Sequence, residues 1–557
     1  MFVVVDRTAE GVVAHRFDAE ARLTDDPEFI EPEDFAEWAD LENDETDPRW
    51  VWNDSRLWYP QLLDAGIRIE RCVDLRLSHN ILRSSLITAS SALATAPAGP
   101  WESAVPIDLA PPTGPSPGEL LFEFDAKSAA PSVSSLDEWM SQREAIATSS
   151  DPNRINLLLA AESAGALIAV EMKHAGLPWN AELHRQMLET ALGPRPRAGE
   201  RPAALEVLLA EMRVALNGAE INPDSPAELL KALRRTGLAI ESTRSWDLQK
   251  LKHPVIEPLL AYKKLARLAS ANGWHWLETW VADGRFRPDY VPGGAATGRW
   301  GASGGGALQL PQQVRGAVVA DDGWKLVVAD ASQLEPRILS AMSADRRMAE
   351  AGRGDLYEGI VASGAVATRA DAKLAMLGAM YGATQGESGR LMPKLAQAFP
   401  AAIALVEAAA RAGERGESVS TQLGRSSPRP GAQWWETQAA ANLDAASETR
   451  ARGQARSWGR FTRNFIVQGT AAEWALCWMA SLRKKLWALT DGQLIEGPHL
   501  VFFLHDEVVV HSPSELADTV IDAVRESAAE AGRLIFGTIP VQFPVTAVAV
   551  DCYADAK

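Results

Sequence analysis

The chain has few of the features that mark secreted, disulfide-stabilised or membrane-spanning proteins. Its 557 residues include only three cysteines, Cys72, Cys477 and Cys552, which lie too far apart for a disulfide framework or a zinc knuckle. No apolar run approaches the ~20 residues that span a bilayer. The N-terminus lacks the basic, apolar and small-residue segments of a signal peptide. We therefore expect a protein of the cytoplasm that does not enter membranes.

Positive charge is also scarce in the chain as a whole. The net charge is -18, from 55 Lys and Arg against 73 Asp and Glu, and a uniformly acidic chain would argue against nucleic-acid binding. The acidic excess is uneven, however, because the first 150 residues have 28 Asp and Glu against 11 Lys and Arg. The rest of the chain is nearly neutral and can carry a basic groove, so the net charge does not exclude a nucleic-acid partner.

The pattern of apolar residues divides the chain into an α/β segment, a linker and a longer helical part. "MFVVV" and "GVVAHRF" predict a hairpin, "WVWND" predicts another strand, and "SRLWYPQLLDAG" predicts a helix. Proline, alanine and serine then dominate a linker, and helical periodicity begins near residue 151. Further on, "KLVVAD" and "HLVFFLHDEVVVHS" read as strands separated by a long helical block, and "VQFPVTAVAVD" as a last strand.

Two of the predicted strands end in carboxylates. Asp330 ends "KLVVAD", and Asp506 and Glu507 interrupt the second run. Taken alone, either acidic segment could be an ordinary solvated turn. If the two strands are neighbours, Asp330 and Asp506 meet at one edge of a sheet and could hold two divalent cations. Paired cations suit in-line phosphoryl transfer, because they bind both the attacking and the leaving oxygen.

A helix with cations on one face is predicted between these strands. Arg369, Lys373, Leu377 and Tyr381 recur every four residues, so they share one side of a helix. One interpretation is an ordinary amphipathic helix whose cations reach to solvent. The other is a surface that holds a triphosphate and a base.

These segments together resemble the motifs of the family A DNA polymerases, including the actinobacterial kind that joins a 3′–5′ exonuclease domain to a polymerase domain. "DASQLEPR" from Asp330 to Arg337 resembles motif A, the helix from Arg369 to Gly382 resembles motif B, and His505-Asp506-Glu507 resembles motif C. "ATGRWGAS", "VSTQLGR" and "RFTRNFIVQGTAAE" resemble further segments of the family. The resemblance runs in order over roughly residues 160–555.

The resemblance implies an α+β fold, a right-hand polymerase with an antiparallel palm sheet and helical fingers and thumb. A reduced ribonuclease H-like, exonuclease-type α/β domain would precede it. The expected division is an exonuclease-like domain at 1–92, a linker with the remainder of that domain at 93–150, the thumb and start of the polymerase domain at 151–280, palm at 281–345, fingers at 346–440 and palm at 441–557.

The resemblance also implies roles for the residues that match the motifs. Asp330 and Asp506 are expected to bind two Mg²⁺ ions, with Mn²⁺ as an accepted substitute, and Glu507 to support them. Lys373 is expected to hold the triphosphate and to protonate the leaving pyrophosphate. The expected contacts with the dNTP are Arg369, Lys373, Tyr381, Glu335, Gln333, Leu377 and Tyr357. The expected contacts with primer–template DNA, which read shape rather than sequence, are Arg299, Arg460, Asn464, Gln468, His505 and Thr297.

Glu335 is the expected gate against ribonucleotides, because in this family the equivalent side chain fills the space that a 2′-OH would need. Pro336 suits the first helical turn after it. Three residues depart from the family pattern: Leu377 replaces an aromatic residue near the sugar, Ala331 replaces a Tyr, and Tyr357 replaces a His. Leu377 leaves open a polymerase with relaxed sugar selectivity.

The exonuclease-like segment lacks most of the carboxylates that a 3′–5′ exonuclease of this family needs. Asp6 matches the first metal ligand, but Thr8 stands where a Glu is needed, and Leu57 stands where an Asp should follow Asn53. No Tyr-x3-Asp motif follows. We expect an exonuclease fold without activity.

The sequence therefore predicts a template-directed DNA polymerase without proofreading, a nucleoid-associated monomer acting on primer–template DNA and dNTPs. A single-subunit RNA polymerase is the first alternative, and Glu335 speaks against it. A non-catalytic DNA-binding descendant of a polymerase is the second, and the retained motif residues speak against that.

Overall fold

The computed structural model describes residues 1–103, 134–382, 386–490 and 493–556. The centre of the expected linker, residues 104–133, lies outside the described residues. The described ends of that linker contain helices, which are included below.

The strands are β1 (Phe2–Arg7), β2 (Val12–Phe17), β3 (Glu28–Ile30), β4 (Arg49–Trp52), β5 (Cys72–Asp74), β6 (Leu177–Pro178), β7 (Val281–Ala282), β8 (Arg285–Phe286), β9 (Asp289–Val291), β10 (Gly301–Gly304), β11 (Trp324–Ala331), β12 (His499–Leu504), β13 (Glu507–Pro513) and β14 (Val545–Val550).

The α-helices are α1 (Phe35–Thr46), α2 (Ser55–Asp64), α3 (Leu75–Ser84), α4 (Ala92–Thr95), α5 (Pro100–Ser103), α6 (Ser135–Ala147), α7 (Pro152–Ala175), α8 (Ala181–Leu192), α9 (Ala203–Ala215), α10 (Pro226–Arg235), α11 (Ser245–Leu248), α12 (Ile256–Asn272), α13 (Trp274–Trp280), α14 (Leu334–Ser343), α15 (Arg346–Ala351), α16 (Leu356–Ala362), α17 (Arg369–Tyr381), α18 (Gly386–Ala398), α19 (Pro400–Glu414), α20 (Ala432–Ala439), α21 (Ala445–Ala488) and α22 (Ala517–Phe536).

The described residues form two compact units. The first contains the described residues within 1–175, 288–308 and 327–549, and the second contains those within 176–287, 309–326 and 550–556. The second unit has a helical core in which Leu209, Met212, Leu233 and Leu259 are buried. The finer division into thumb, palm and fingers stays a prediction.

The N-terminal segment forms a five-stranded sheet in the order β3-β2-β1-β4-β5. β1 and β2 pair antiparallel, which confirms the predicted hairpin, and β4 joins β1 in parallel. Helix α2 covers this sheet, because Trp50, Trp52, Trp58 and Tyr59 are all buried in one apolar cluster. The α/β character predicted for this segment is confirmed.

A second sheet has the order β12-β13-β11-β14. β12 and β13 form an antiparallel hairpin whose two-residue turn is His505-Asp506, with φ 61° at His505. A positive φ at the first turn residue matches the right-handed twist of the strands it joins. The predicted strands over "KLVVAD" and "HLVFFLHDEVVVHS" are confirmed, and the last strand is shorter than predicted because it begins only after Pro544.

Helix α7 corrects the expectation that the chain has no apolar segment long enough to span a bilayer. By length and composition it is apolar enough to cross a membrane, although isolated polar residues interrupt its apolar run. In its most apolar window, 78% of the residues are buried inside the protein. Burial of this kind is what a core helix shows, so α7 alone is weak evidence for a membrane span.

A buried ionic cluster joins α7, α21 and the N-terminal segment within the first unit. Glu171 in α7 accepts hydrogen bonds from Tyr59 (2.7 Å) and from Nε and Nη2 of Arg483 (2.9 and 2.7 Å). Arg483 also donates to the backbone carbonyls of Ile69 and Glu70. Burial alone would raise the pKa of Glu171, but Arg483 and Arg68 outweigh it and lower that pKa to about 2.

We expect E171A to lower the free energy of unfolding by about 3–5 kcal/mol, because it leaves the buried Arg483 charge without its carboxylate partner. Thermal or chemical unfolding would measure the loss. The control E526A removes an exposed carboxylate that pairs with Lys485 on the same helix as Arg483, and should cost less than about 1 kcal/mol. Equal effects of the two variants would contradict the assigned importance of the cluster.

Candidate active site

The two predicted metal-binding aspartates belong to neighbouring parts of the second sheet, Asp330 to β11 and Asp506 to the turn before β13. β13 lies beside β11, and the backbone N–H of Ala331 donates to the backbone carbonyl of Asp506 at 2.9 Å. Asp330, which precedes Ala331 in β11, is therefore held next to the turn that carries Asp506. The predicted pairing of these strands is confirmed. Glu507 begins β13 and is buried.

A left-handed residue turns the chain from β11 into α14. Gln333 has φ 57°, and its side chain fixes the turn, because Oε1 accepts from the N–H of Leu356 (2.9 Å) and Nε2 donates to Asp355 (2.7 Å). Gln333, an expected nucleotide contact, thus also organises the backbone. Arg337, to which the sequence assigned no role, is buried and donates to the carbonyls of Gly352 and Gly354 (both 2.6 Å).

Three of the other predicted site residues, which come from distant segments of the chain, meet around Glu335. Arg299 donates to its Oε1 at 2.5 Å, and the hydroxyl of Tyr381 donates to its Oε2 at 3.0 Å. Gln468 donates to the same hydroxyl at 3.4 Å. Partial burial raises the pKa of Tyr381, and the Glu335 charge adds to the shift. These contacts hold the Glu335 carboxylate in one orientation.

The predicted helix face is present on α17. Thr368 and Asp371 form a capping box at its start, and Lys373, Leu377 and Tyr381 are exposed. Arg369 bonds Asp355 at 2.8 Å, and this hydrogen bond is the main cause of the raised Arg369 pKa.

Tyr357 is buried, with the Arg369 guanidinium 5.3 Å from the centre of its ring. Burial raises its pKa. Stacking of this kind keeps the cation at the start of α17.

A cavity of about 360 Å³ lies in the first unit beside these residues. Its polar lining includes Thr297, Arg299, Glu335, Gln468, His505 and Asp506. Burial lowers the pKa of His505, and the Arg299 charge lowers it further. Asn464 and Arg460 lie on α21 one and two turns before Gln468, and the Arg460 side chain is exposed.

The described residues contain no cluster of three or more acidic, His or Cys side chains that would form a closed metal site. Asp330 and Asp506 fit a different kind of site, since Mg²⁺ commonly binds one or two carboxylates and completes its shell with water and substrate phosphate. The hydrogen bond from Ala331 to Asp506 holds close together the two backbone segments that carry these aspartates.

A buried acidic pair beneath the turn of Thr297, Gly298 and Arg299 was missed by the sequence analysis. Glu162 bonds Arg425, and Gly298, at φ 81°, lies so close that a Cβ there would be 2.5 Å from Nε of Arg425. Glu473 accepts from Thr421 and from the N–H of Leu423 (2.9 Å). The sequence did contain a signal for this pair, because an acidic residue interrupts the apolar periodicity of the segments that form α7 and α21.

Burial raises the pKa of Glu473 to about 7, helped by the Glu162 charge and opposed by its hydrogen bonds and by Arg425. An unfolded glutamate titrates near ~4.3. Between these two pKa values the folded state binds more protons than the unfolded state does. The contribution of Glu473 to the free energy of unfolding is therefore full at low pH and is lost as pH rises towards 7.

We therefore expect E473Q to gain stability relative to the unchanged protein as pH rises from ~5 to ~8, by about 1–3 kcal/mol. The glutamine amide can accept a hydrogen bond from the N–H of Leu423 and donate one to the hydroxyl of Thr421. Denaturant unfolding of both proteins across this pH range gives the difference, and other titrating groups cancel in it. A difference that does not change with pH would contradict the raised pKa.

Comparisons with known proteins give one family match. The sequence model of DNA polymerase family A matches residues 201–549. A thermostable DNA polymerase I of Thermus thermophilus is 27% identical over 344 residues, covering 56% of this chain and 37% of that protein. DNA polymerase I of Chloroflexus aurantiacus is 25% identical over 54% of this chain and 33% of that protein. The matched part of the chain thus spans about a third of the length of these relatives.

Among solved structures, a similar fold is found in the POL domain of Pol1 from M. smegmatis in complex with DNA primer-template and dNTP. The TM-score is 0.69 at 20% sequence identity, covering 100% of this chain and 95% of that one. At this identity the likeness establishes the fold alone, which agrees with the α+β, right-hand architecture expected from the sequence.

Proposed function

Because the chain belongs to DNA polymerase family A, we propose that it is a template-directed DNA polymerase that adds deoxynucleotides to the 3′ end of a primer. The observation that carries the proposal is the hydrogen bond between Ala331 and Asp506, which joins motif A to motif C and sets Asp330 beside Asp506. The exposed Lys373 and Arg369 on α17 supply the cations that a triphosphate needs.

Family A DNA polymerases use divalent metal ions, and Asp330 and Asp506 would hold two Mg²⁺ here, with Mn²⁺ as a substitute. When bound, such ions neutralise phosphate charge and clamp the attacking and leaving oxygens. Lys373 binds the triphosphate and donates a proton to the leaving pyrophosphate oxygen. Arg369 also binds the triphosphate, by exchanging its exposed pair with Asp355 for phosphate oxygens. The exchange costs little, since exposed pairs contribute about 0–1 kcal/mol.

Glu335 discriminates between sugars in this proposal. Arg299 and Tyr381 fix its carboxylate, so it cannot swing aside without losing both hydrogen bonds. A ribose 2′-OH would have to displace a charged group that is already paired. Leu377, 38% exposed, replaces the family's aromatic residue and supports a second candidate, a polymerase with relaxed sugar selectivity.

The proposal includes an inactive exonuclease domain. The Asp6 carboxylate accepts from the N–H groups of Ser135 (2.7 Å) and Leu136 (3.4 Å), at the start of α6. Thr8 bonds Gly11 within its own turn. Leu57 is 48% exposed and offers no carboxylate. The one remaining family ligand thus caps a helix, and two metals would lack their acidic support.

We expect D330N and D506N each to reduce primer extension by about a thousandfold or more, because each loses several kcal/mol of transition-state stabilisation. A labelled primer on a longer template with Mg²⁺ and dNTPs gives the rate. D522N, an exposed aspartate that pairs only loosely with Arg525, is the matched control and should extend normally.

Full extension by D330N would contradict the role assigned to Asp330, and no extension by the unchanged protein would favour a non-catalytic role. The same primer offered ribonucleotides in place of dNTPs distinguishes the second candidate, which predicts comparable extension with both.

We expect a primer with a mismatched 3′ end to be extended with dNTPs and not shortened without them. The reason is that the Asp6 carboxylate already accepts hydrogen bonds from the start of α6. Gel analysis over time measures both reactions. D6A should leave the absence of shortening unchanged and lower the unfolding free energy by about 1 kcal/mol through loss of the helix cap. Shortening that D6A abolishes would contradict the inactive exonuclease.

A further inference from the structure

A second cavity, of about 310 Å³, lies in the first unit and shares no described lining residue with the cavity of the candidate active site. Its lining comes from the starts of β1, β4 and β5 and from helices α6 and α7. The polar side chains of this lining include Arg49, Gln142 and Arg143, and the apolar ones include Val73 and Leu159. We call this space the arginine cavity. Its size is at the lower end of the range for small-molecule sites.

The arginine cavity lies at the opposite edge of the N-terminal sheet from Asp6. β1 and β4 run parallel, and Phe2 pairs with Arg49, so both strands begin at the cavity. Asp6 lies four residues further along β1. Since a strand rises ~3.3 Å per residue, Asp6 is about 13 Å from Phe2 along the strand. The cavity is therefore distinct from the remnant of the exonuclease site.

Neither arginine of this cavity has a carboxylate partner. Among the described residues, no acidic side chain forms an ion pair with Arg49 or Arg143, and neither of these side chains donates a hydrogen bond. The described lining includes no Asp or Glu. Glu138, one turn before Gln142 on α6, is already bonded to His79 (2.8 Å) and to Gln142 (2.6 Å). The cavity therefore carries uncompensated positive charge.

Aromatic rings hold one of the two cations in place. The guanidinium of Arg143 lies 5.6 Å from the centre of the Phe2 ring and 5.2 Å from that of Trp139. Trp139 is itself buried and packs against Phe17, with 4.8 Å between the ring centres. A cation that is stacked on two rings has little freedom left to lose when a ligand binds, which favours affinity.

The other cation is partly removed from water. Burial lowers the pKa of Arg49, the Arg71 charge lowers it further, and Glu70 opposes the shift only in part. The guanidinium nevertheless stays charged, as it does throughout proteins. Burial also raises the pKa of the Cys72 thiol to about 12, so this lining residue is neutral and supplies no compensating charge. A partly desolvated charge without a partner costs free energy, which an anion in the cavity would offset.

We propose that the arginine cavity binds a small organic phosphate, with its phosphate at Arg49 and Arg143 and its apolar part against Val73 and Leu159. The planar fork of an arginine matches two oxygens of a phosphate, and two such forks suit a dianion. The enclosed volume admits a ligand of mononucleotide size and excludes a nucleic-acid strand. This inference is independent of the proposed polymerase function.

Isothermal titration calorimetry of the full chain tests the proposal, with adenosine monophosphate (AMP), inorganic phosphate and adenosine as probes and without added metal. We expect AMP to bind with a stoichiometry of one. Adenosine should bind at least about tenfold more weakly, because it lacks the charged group that the arginines recognise. Inorganic phosphate should compete with AMP, since both would occupy the same two guanidinium groups.

R49M and R143M remove one charge each and keep a long side chain in place. We expect each variant to weaken AMP binding about tenfold to a hundredfold, because each loses hydrogen bonds to a charged group. R533M is the matched control, since Arg533 is an exposed arginine at the end of α22 in the same unit. It should bind AMP as the unchanged protein does.

A double variant in the candidate active site shows where AMP binds. R369M/K373M removes the two cations expected to hold a triphosphate, and it should leave AMP binding unchanged. Loss of AMP binding in R369M/K373M, with normal binding by R49M, would locate the ligand in the active site and overturn the inference. The absence of AMP and phosphate binding by the unchanged protein would overturn it as well.

Thermal unfolding separates ligand binding from a structural role of Arg49. Without ligand, R49M should unfold at the same temperature as the unchanged protein or higher, because it removes a desolvated charge that has no partner. AMP should raise the unfolding temperature of the unchanged protein and leave that of R49M where it is. A lower unfolding temperature of ligand-free R49M, together with normal AMP affinity, would show a structural role and contradict the proposal.

Discussion

The hydrogen bond from the Ala331 N–H to the Asp506 carbonyl is the constraint on which the candidate site depends. It aligns the end of β11 with the turn between β12 and β13, and it brings together the segments that carry Asp330 and Asp506, which are distant in the chain. Two left-handed residues, Gln333 and His505, let each strand turn sharply beside it. Because the chemistry proposed here needs two adjacent carboxylates, a shift in the register of these strands would remove it.

Around this pair, charged side chains are fixed by partners rather than left to solvent. Glu335 is held by Arg299 and Tyr381, and Arg369 by Asp355. Below the turn that carries Arg299, the pairing of Glu162 with Arg425 supports the backbone from inside the protein. Buried charges of this kind are costly unless they are paired. Once paired, they restrict the site to one arrangement. The site is thus organised before a substrate is bound.

The N-terminal segment is integrated into the first unit by its buried polar contacts. Arg483 of α21 bonds both Glu171 and the backbone carbonyls of Ile69 and Glu70, and Ser85 bonds the carbonyl of Gly424. Asp6, its one remaining match to the exonuclease ligands, caps α6. A segment that resembles a nuclease can therefore be retained for stability alone, and the unfolding and nuclease experiments separate the two roles.

The sequence by itself determined the features that depend on local pattern. Alternation and apolar runs identified the N-terminal hairpin and the strands that end near Asp330 and Asp506, and a four-residue interval identified the exposed face of α17. Missing carboxylates at Thr8 and Leu57 were equally visible. Tertiary structure alone decided which distant charges meet: Glu171 with Arg483, Glu162 with Arg425, Arg369 with Asp355. Such pairs leave no periodic trace in the chain, because packing between remote segments selects them.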